Sequence, residues 1–96
     1  MIIKQNAMAG TLESSDIQIS LAQNDHEENQ IILESPVKHL FGEEIEKVIR
    51  SILAKHSITG VRVKAIDKGA LNCTIVARMQ AVIYRATEED IKWELE

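Results

Sequence analysis

Ser35-Pro36-Val37-Lys38-His39-Leu40-Phe41-Gly42-Glu43-Glu44-Ile45-Glu46-Lys47-Val48-Ile49-Arg50-Ser51-Ile52-Leu53-Ala54-Lys55-His56 decides the fold. Val37, Leu40, Phe41, Ile45, Val48, Ile49, Ile52 and Leu53 draw one apolar stripe along a helix of about five turns. Ser35 is placed to accept a bond from a first-turn amide, and Pro36 beside it loses no helical hydrogen bond. Glu43, Glu44 and Glu46 occupy the first half, whereas Lys47, Arg50, Lys55 and His56 follow. That order suits the helix dipole, at ~0.3–1 kcal/mol for each favourable end charge. Gly42 is a weak point, costing about 1 kcal/mol relative to alanine. The helix is expected to fade at His56-Ser57, with Thr59-Gly60 as the turn out.

Outward from this helix the period changes to two. Ile17, Ile19 and Leu21 alternate with Gln18 and Ser20, which predicts a half-buried strand. The polar run Gln23–Asn29 reads as a loop, and Ile31-Ile32-Leu33 as a second strand paired antiparallel with the first. On the other side, Val61, Val63 and Ala65 alternate with Arg62 and Lys64. Asp67-Lys68-Gly69 matches a hairpin turn, after which a return strand places Leu71, Cys73, Ile75, Ala77 and Met79 on one face. Gln80–Ala86 fits a strand or a helix equally, and Thr87–Glu96 a short helix or a frayed end. Residues 1–16, with Ala7, Ala9, Gly10, Thr11, Ser14 and Ser15, read as a mobile N-terminal arm. The order strand, strand, helix, strand, strand predicts an α+β domain spanning residues 1–96. In it a small antiparallel sheet packs against one long helix, with a short C-terminal helix as an optional addition.

Composition narrows the function. Lys plus Arg is 11 and Asp plus Glu is 15, a balance of 11 − 15 = −4 that repels phosphate backbones. Phe41, Tyr84 and Trp93 are the only aromatics, too few for a base-stacking platform. Nucleic acid is therefore not an expected partner. Cys73 alone makes neither an internal disulfide nor a multi-cysteine zinc site. The start has no signal-peptide core and no apolar run is long enough to cross a bilayer, so a cytoplasmic chain with no membrane partner is expected.

Candidate chemistry is sparse. His26, His39 and His56 match no local metal-ligand spacing, so no metal site is expected. Cys73 on the inward face of a strand reads as a small hydrophobe, with nothing local to lower its pKa. Ser14 and Ser15 precede Asp16, but neighbours in sequence seldom assemble a triad, so no catalytic residue is assigned. Arg62, Lys64, Lys68 and Arg78 read as a solvated outer face of the last hairpin, or as a seat for phosphates or an acidic partner surface. Ala9-Gly10-Thr11-Leu12-Glu13-Ser14-Ser15-Asp16 reads as a turn with capping serines, or as an accessible hydroxyl open to a phosphate-linked group.

That last stretch, followed by an alternating strand, resembles the signature of the citrate lyase acyl carrier proteins, the gamma chains. The likeness continues through Phe41-Gly42, Asp67-Lys68-Gly69-Ala70-Leu71-Asn72-Cys73 and Tyr84-Arg85-Ala86, and covers essentially the whole chain. Ordinary acyl carriers place their serine in Asp-Ser-Leu at a helix start; here Glu13 precedes and Ser15 follows. The resemblance implies that Ser14 carries 2′-(5″-phosphoribosyl)-3′-dephospho-coenzyme A through a phosphodiester. Ser15 is its competitor on chemistry alone, and the register of the motif favours Ser14. It also implies a non-catalytic carrier that presents acetyl and citryl thioesters to an alpha chain, an acyl transferase, and a beta chain, a citryl lyase. Citrate is thereby cleaved to acetate and oxaloacetate, and further enzymes attach the group and acetylate it. An unmodified adaptor subunit of a multienzyme complex is the alternative.

Overall fold

The computed structural model describes residues 3–88. Six elements follow in order: β1 (Ala7–Ala9), β2 (Ile17–Gln23), β3 (Gln30–Glu34), α1 (Lys38–Lys55), β4 (Val61–Asp67) and α2 (Asn72–Thr87). The strands make one sheet in the order β1-β2-β4-β3. Class α+β holds, but several details differ from the expectation.

β2 does not pair with β3. It pairs antiparallel with β4, Ile19 opposite Ala65 and Leu21 opposite Val63. β3 joins the far side of β4 in parallel, Ile31 opposite Val63 and Leu33 opposite Ala65. The sheet is thus mixed. A parallel pair needs a crossover too long for a hairpin, and α1 supplies it.

The expected hairpin and return strand after Asp67 are replaced by α2. Ile75, Met79, Val82, Ile83 and Ala86 are buried along it at steps of three, four and one, the spacing of a helix face. Leu71 and Cys73, expected inside, are exposed. The proposed start of a last helix at Thr87 is where α2 ends, and the rest of that stretch lies outside the described residues.

The segment expected as an arm contributes β1 at the sheet edge, Ala9 opposite Ile19. Ile3 and Ala9 are buried. The Lys4 and Gln5 amides donate to the Ala86 carbonyl at 2.8 and 3.2 Å, and Arg85 Nη1 donates to the Met8 carbonyl at 2.6 Å. Residues 3–9 are thereby tied to the end of α2.

Both helices bury against one sheet face. Ile17, Ile19 and Leu21 of β2, Val61, Val63 and Ala65 of β4 and Leu33 of β3 meet Ile45, Ile49, Ile52 and Leu53 of α1 and the buried row of α2. The core is aliphatic, as so few aromatics require. α1 begins two residues later than Ser35 suggested, with Val37 in the cap position. Ser35 Oγ accepts the Val37 amide at 3.2 Å, so it caps the preceding turn. Leu40 and Phe41, counted in the apolar stripe, face solvent. Gly42 is buried, and a Cβ there would lie 3.1 Å from Lys38 Cγ and 3.8 Å from Leu33 Cδ2. The α1 exit is as expected: Ser57 at φ 54 and Gly60 at φ 71 turn the chain into β4.

Candidate functional site

Ser14 and Ser15 occupy the centre of a four-residue turn. The Asp16 amide donates to the Glu13 carbonyl at 3.1 Å and closes it. Ser15 has φ 68, the left-handed value that the third residue of a type II turn needs. Its amide donates to the Lys68 carbonyl at 2.8 Å, and the Lys68 amide returns a bond to the Asp16 carbonyl at 2.8 Å. The turn is therefore stitched to the chain leaving β4. Upstream, Gly10 has φ +90, and a Cβ there would collide with the Ile17 carbonyl oxygen.

Asp16 is the anchor. Arg78 of α2 grips its carboxylate with both prongs, Nε to Oδ1 at 3.0 Å and Nη2 to Oδ2 at 2.8 Å. Thr11 donates to Oδ2 from its hydroxyl at 2.6 Å and its amide at 3.1 Å, and the Ile17 amide donates to Oδ1 at 2.7 Å. The Arg78 bonds, followed by those from Thr11, hold the Asp16 carboxyl well below the usual carboxylate range. Burial pushes the other way, and the Ile17 amide adds to the lowering. Glu13 in turn donates its amide to Thr11 Oγ1 at 3.2 Å. Every anchor of the turn is backbone or a neighbouring side chain, which leaves Leu12, Glu13, Ser14 and Ser15 exposed. The Ser14 hydroxyl has no hydrogen-bond partner among the described residues.

Arg78 was expected on the outer face of a hairpin, in a basic patch with Arg62, Lys64 and Lys68. The structure divides that set. Arg78 lies on α2 and is committed to Asp16, whereas Arg62 and Lys64 project from the uncovered face of β4. Arg62 is engaged by Gln30 Oε1 at 3.2 Å. Lys68 remains exposed beside the serine turn. A clash of periods explains the miss: a strand reading of residues 71–79 sends Arg78 outward, whereas the helix turns it toward Asp16.

The connection from β4 to α2 is also held by an aspartate. Asp67 is buried; its Oδ1 accepts the Gly69 and Ala70 amides at 3.1 and 2.9 Å, and its Oδ2 accepts the Ser35 hydroxyl at 2.8 Å. An open cleft of about 570 Å³ lies between this connection and α1, with Phe41, Ile45 and Leu71 among its walls. Among the described residues, no three histidine, cysteine or acidic side chains come together in a way that could hold a metal ion. No helix there is long and apolar enough to cross a membrane.

Comparison with known proteins places the chain among acyl carriers. The acyl carrier family model described as "Malonate decarboxylase delta subunit (MdcD)" matches residues 4–86. The citrate lyase acyl carrier protein of Lactobacillus helveticus is 52% identical over 96 residues, covering 100% of this chain and 98% of that protein. Its counterpart in Lactobacillus acidophilus is 51% identical with the same coverage. The Streptococcus pyogenes serotype M18 protein is 46% identical over 90 residues, covering 94% of this chain and 88% of its own. Among solved structures, the Staphylococcus aureus RNase P protein superposes with a TM-score of 0.51 at 13% identity, covering 82% of this chain and 81% of that one. At that identity the likeness concerns the fold alone.

Proposed function

The chain belongs to the citrate lyase acyl carrier protein family, and from that premise we propose that Ser14 is the point at which its prosthetic group is attached. The group we assign is 2′-(5″-phosphoribosyl)-3′-dephospho-coenzyme A, joined through a phosphodiester. One observation carries the assignment: an exposed hydroxyl without a partner among the described residues stands at the centre of a turn anchored through other groups. A phosphodiester there displaces no hydrogen bond and meets no buried wall. Ser15 is equally exposed, but its left-handed backbone and its amide bond to Lys68 make it the hinge of the turn.

In the attachment step, Ser14 Oγ forms a bond to the phosphorus of an activated phosphoanhydride on the donor. The hydroxyl proton passes to a base of the attaching enzyme, and the anhydride P–O bond breaks with release of the phosphate leaving group. Once bound, the group supplies the thiol on which acetyl and citryl units travel. The role of this chain is to hold that arm at one surface point, so that each transfer to an alpha or beta chain becomes intramolecular. Effective concentrations for such links are of order mM. No residue of the chain needs to act on substrate, which is consistent with a carrier subunit that has no catalytic constellation of its own.

Intact mass followed by peptide mapping tests this on protein co-expressed with the enzymes that build and attach the group. A gain matching the group on Ser14 is expected. The same gain on Ser15 would keep the function and move the site. An unmodified chain, alongside a known carrier that is modified, would favour an unmodified adaptor subunit.

A further inference from the structure

The anchors of the serine turn come from distant parts of the chain. Asp16 is held by Arg78, 62 positions away on α2, and Ser15 by Lys68 at the end of β4. Within the segment itself, only Thr11, Glu13 and the Ile17 amide contribute. Cut from the fold, the sequence from Gly10 to Ile17 would therefore lose the bidentate grip and the Lys68 stitch. It would also have to hold Ser15, a residue with a side chain, in a backbone region that such residues avoid.

We propose that Asp16 and Arg78 are positioning residues for the modification of Ser14. They keep the Glu13–Asp16 turn in the conformation that the attaching enzyme binds, so this enzyme recognises a folded turn and not a linear motif. The proposal rests on attachment at Ser14. Arg78 itself touches neither serine in any bond of the structure; it acts through Asp16, whose amide closes the turn and whose carbonyl accepts the Lys68 amide. The pair sits at the boundary of the core, with side-chain exposures of 38% for Arg78 and 12% for Asp16. Its loss should free the turn while the aliphatic core stays assembled, since the core cluster is built of other residues and includes neither Asp16 nor Arg78.

A loosened turn has a specific kinetic signature. If only a fraction of carriers presents the competent turn, apparent affinity falls by that fraction, whereas the rate at saturating carrier is unchanged. A general loss of folding would show as a lost thermal transition instead.

The test uses the full apo chain, its attaching enzyme and the activated donor, with product followed by intact mass. Arg78→Gln is compared with wild type for carrier KM, kcat and amide hydrogen exchange. The expected result is a KM raised about tenfold, as for a competent fraction near one in ten, with kcat within about twofold. The Ser15 amide should exchange faster while that of Ile19, in the middle of the sheet, stays protected. A synthetic peptide of residues 8–18 should remain unmodified at concentrations that saturate the folded chain. Should Arg78→Gln fail to melt cooperatively, Arg78→Lys replaces it, with a smaller rise in KM because one donor to Asp16 survives. A wild-type KM in a folded Arg78 variant, or a peptide modified as readily as the chain, would overturn the proposal. Failure of the Ser14 assignment shows separately, in wild type, as no gain in mass or a gain mapped to Ser15, and removes the proposal with it.

Discussion

Arg78 and Asp16 meet in a two-pronged bond, Nη2 to Oδ2 at 2.8 Å and Nε to Oδ1 at 3.0 Å, so a side chain of α2 fixes the residue that follows Ser14-Ser15. The contact joins the serine turn to the helix that also holds β1 and the N-terminal residues through Ala86 and Arg85. Order at the serine turn is thus a tertiary property.

Acid should weaken this joint in a defined direction. The folded Asp16 carboxyl lies below its ordinary value of 3.8, chiefly because of Arg78. A depressed folded pKa contributes stability that is complete above the unfolded value and is lost as pH falls through the folded one. Asp16→Asn should cost roughly 1.5–3 kcal/mol at neutral pH, the range for a hydrogen bond to a charged group. The gap between wild type and Asp16→Asn should narrow below about pH 4. Urea titrations from pH 7 down to acid would check this, and a constant gap over the whole range would contradict it.

How much of this was legible in the sequence depends on which interactions are local. β2, β4 and α1 follow from alternation and a helical stripe, and Ile17, Ile19, Leu21, Val61, Val63, Ala65, Ile45, Ile49, Ile52 and Leu53 are buried as expected, whereas Leu40 and Phe41 of the stripe are not. Residues 71–79 read as a strand and fold as a helix for a physical reason: Leu71, Ile75 and Met79 satisfy even spacing and i,i+4 spacing together. The continuation through Val82, Ile83 and Ala86, which only a helix buries on one side, was the signal that could have decided it. The parallel β3–β4 pair had its own clue, a helix of α1's length between two strands, which is the crossover of a βαβ unit. Ser14 was reached through resemblance, and Arg78 was missed, because no local pattern links a carboxylate to an arginine 62 positions away.

Two glycines should respond oppositely to alanine. At Gly10 the left-handed backbone costs about 1–3 kcal/mol for a side-chain-bearing residue, before any collision with the Ile17 backbone is added. Gly10→Ala should therefore lower the melting temperature by several degrees or abolish the transition. At Gly42 the closest atom to a new Cβ is the Lys38 side chain, which is exposed and can swing aside. Gly42→Ala should then gain up to about 1 kcal/mol of helix propensity, or roughly 4–8 °C in a domain of this size. Calorimetry on both variants checks the contrast.

The exposure of Cys73 makes a direct test of α2 against the strand once expected there. A thiol on the outer side of the first helical turn should react with a soluble disulfide reagent in the native protein, without denaturant. Cys73→Ser should change stability by no more than about 0.5 kcal/mol, as for surface substitutions generally. A thiol that reacts only after unfolding would return Cys73 to the core and argue against α2 as described.

Ser15 offers the sharpest separation of the two serines. Its φ of 68 costs an L-residue roughly 1–2 kcal/mol, and glycine removes that cost while adding about 0.5–1 kcal/mol of backbone entropy to lose on folding. Ser15→Gly should accordingly be neutral or stabilising by up to about 1 kcal/mol, and should leave the Lys68 and Asp16 bonds of the turn in place. Ser15→Val, branched at Cβ, should destabilise by about 1–2 kcal/mol or more. Ser14→Ala should sit within about 0.5 kcal/mol of wild type, since the hydroxyl it removes makes no bond among the described residues. If Ser14 is the attachment point, Ser15→Gly still gains the full mass of the group and Ser14→Ala gains none. Loss of modification in Ser15→Gly, with its melting transition intact and Ser14→Ala fully modified, would transfer the attachment to Ser15.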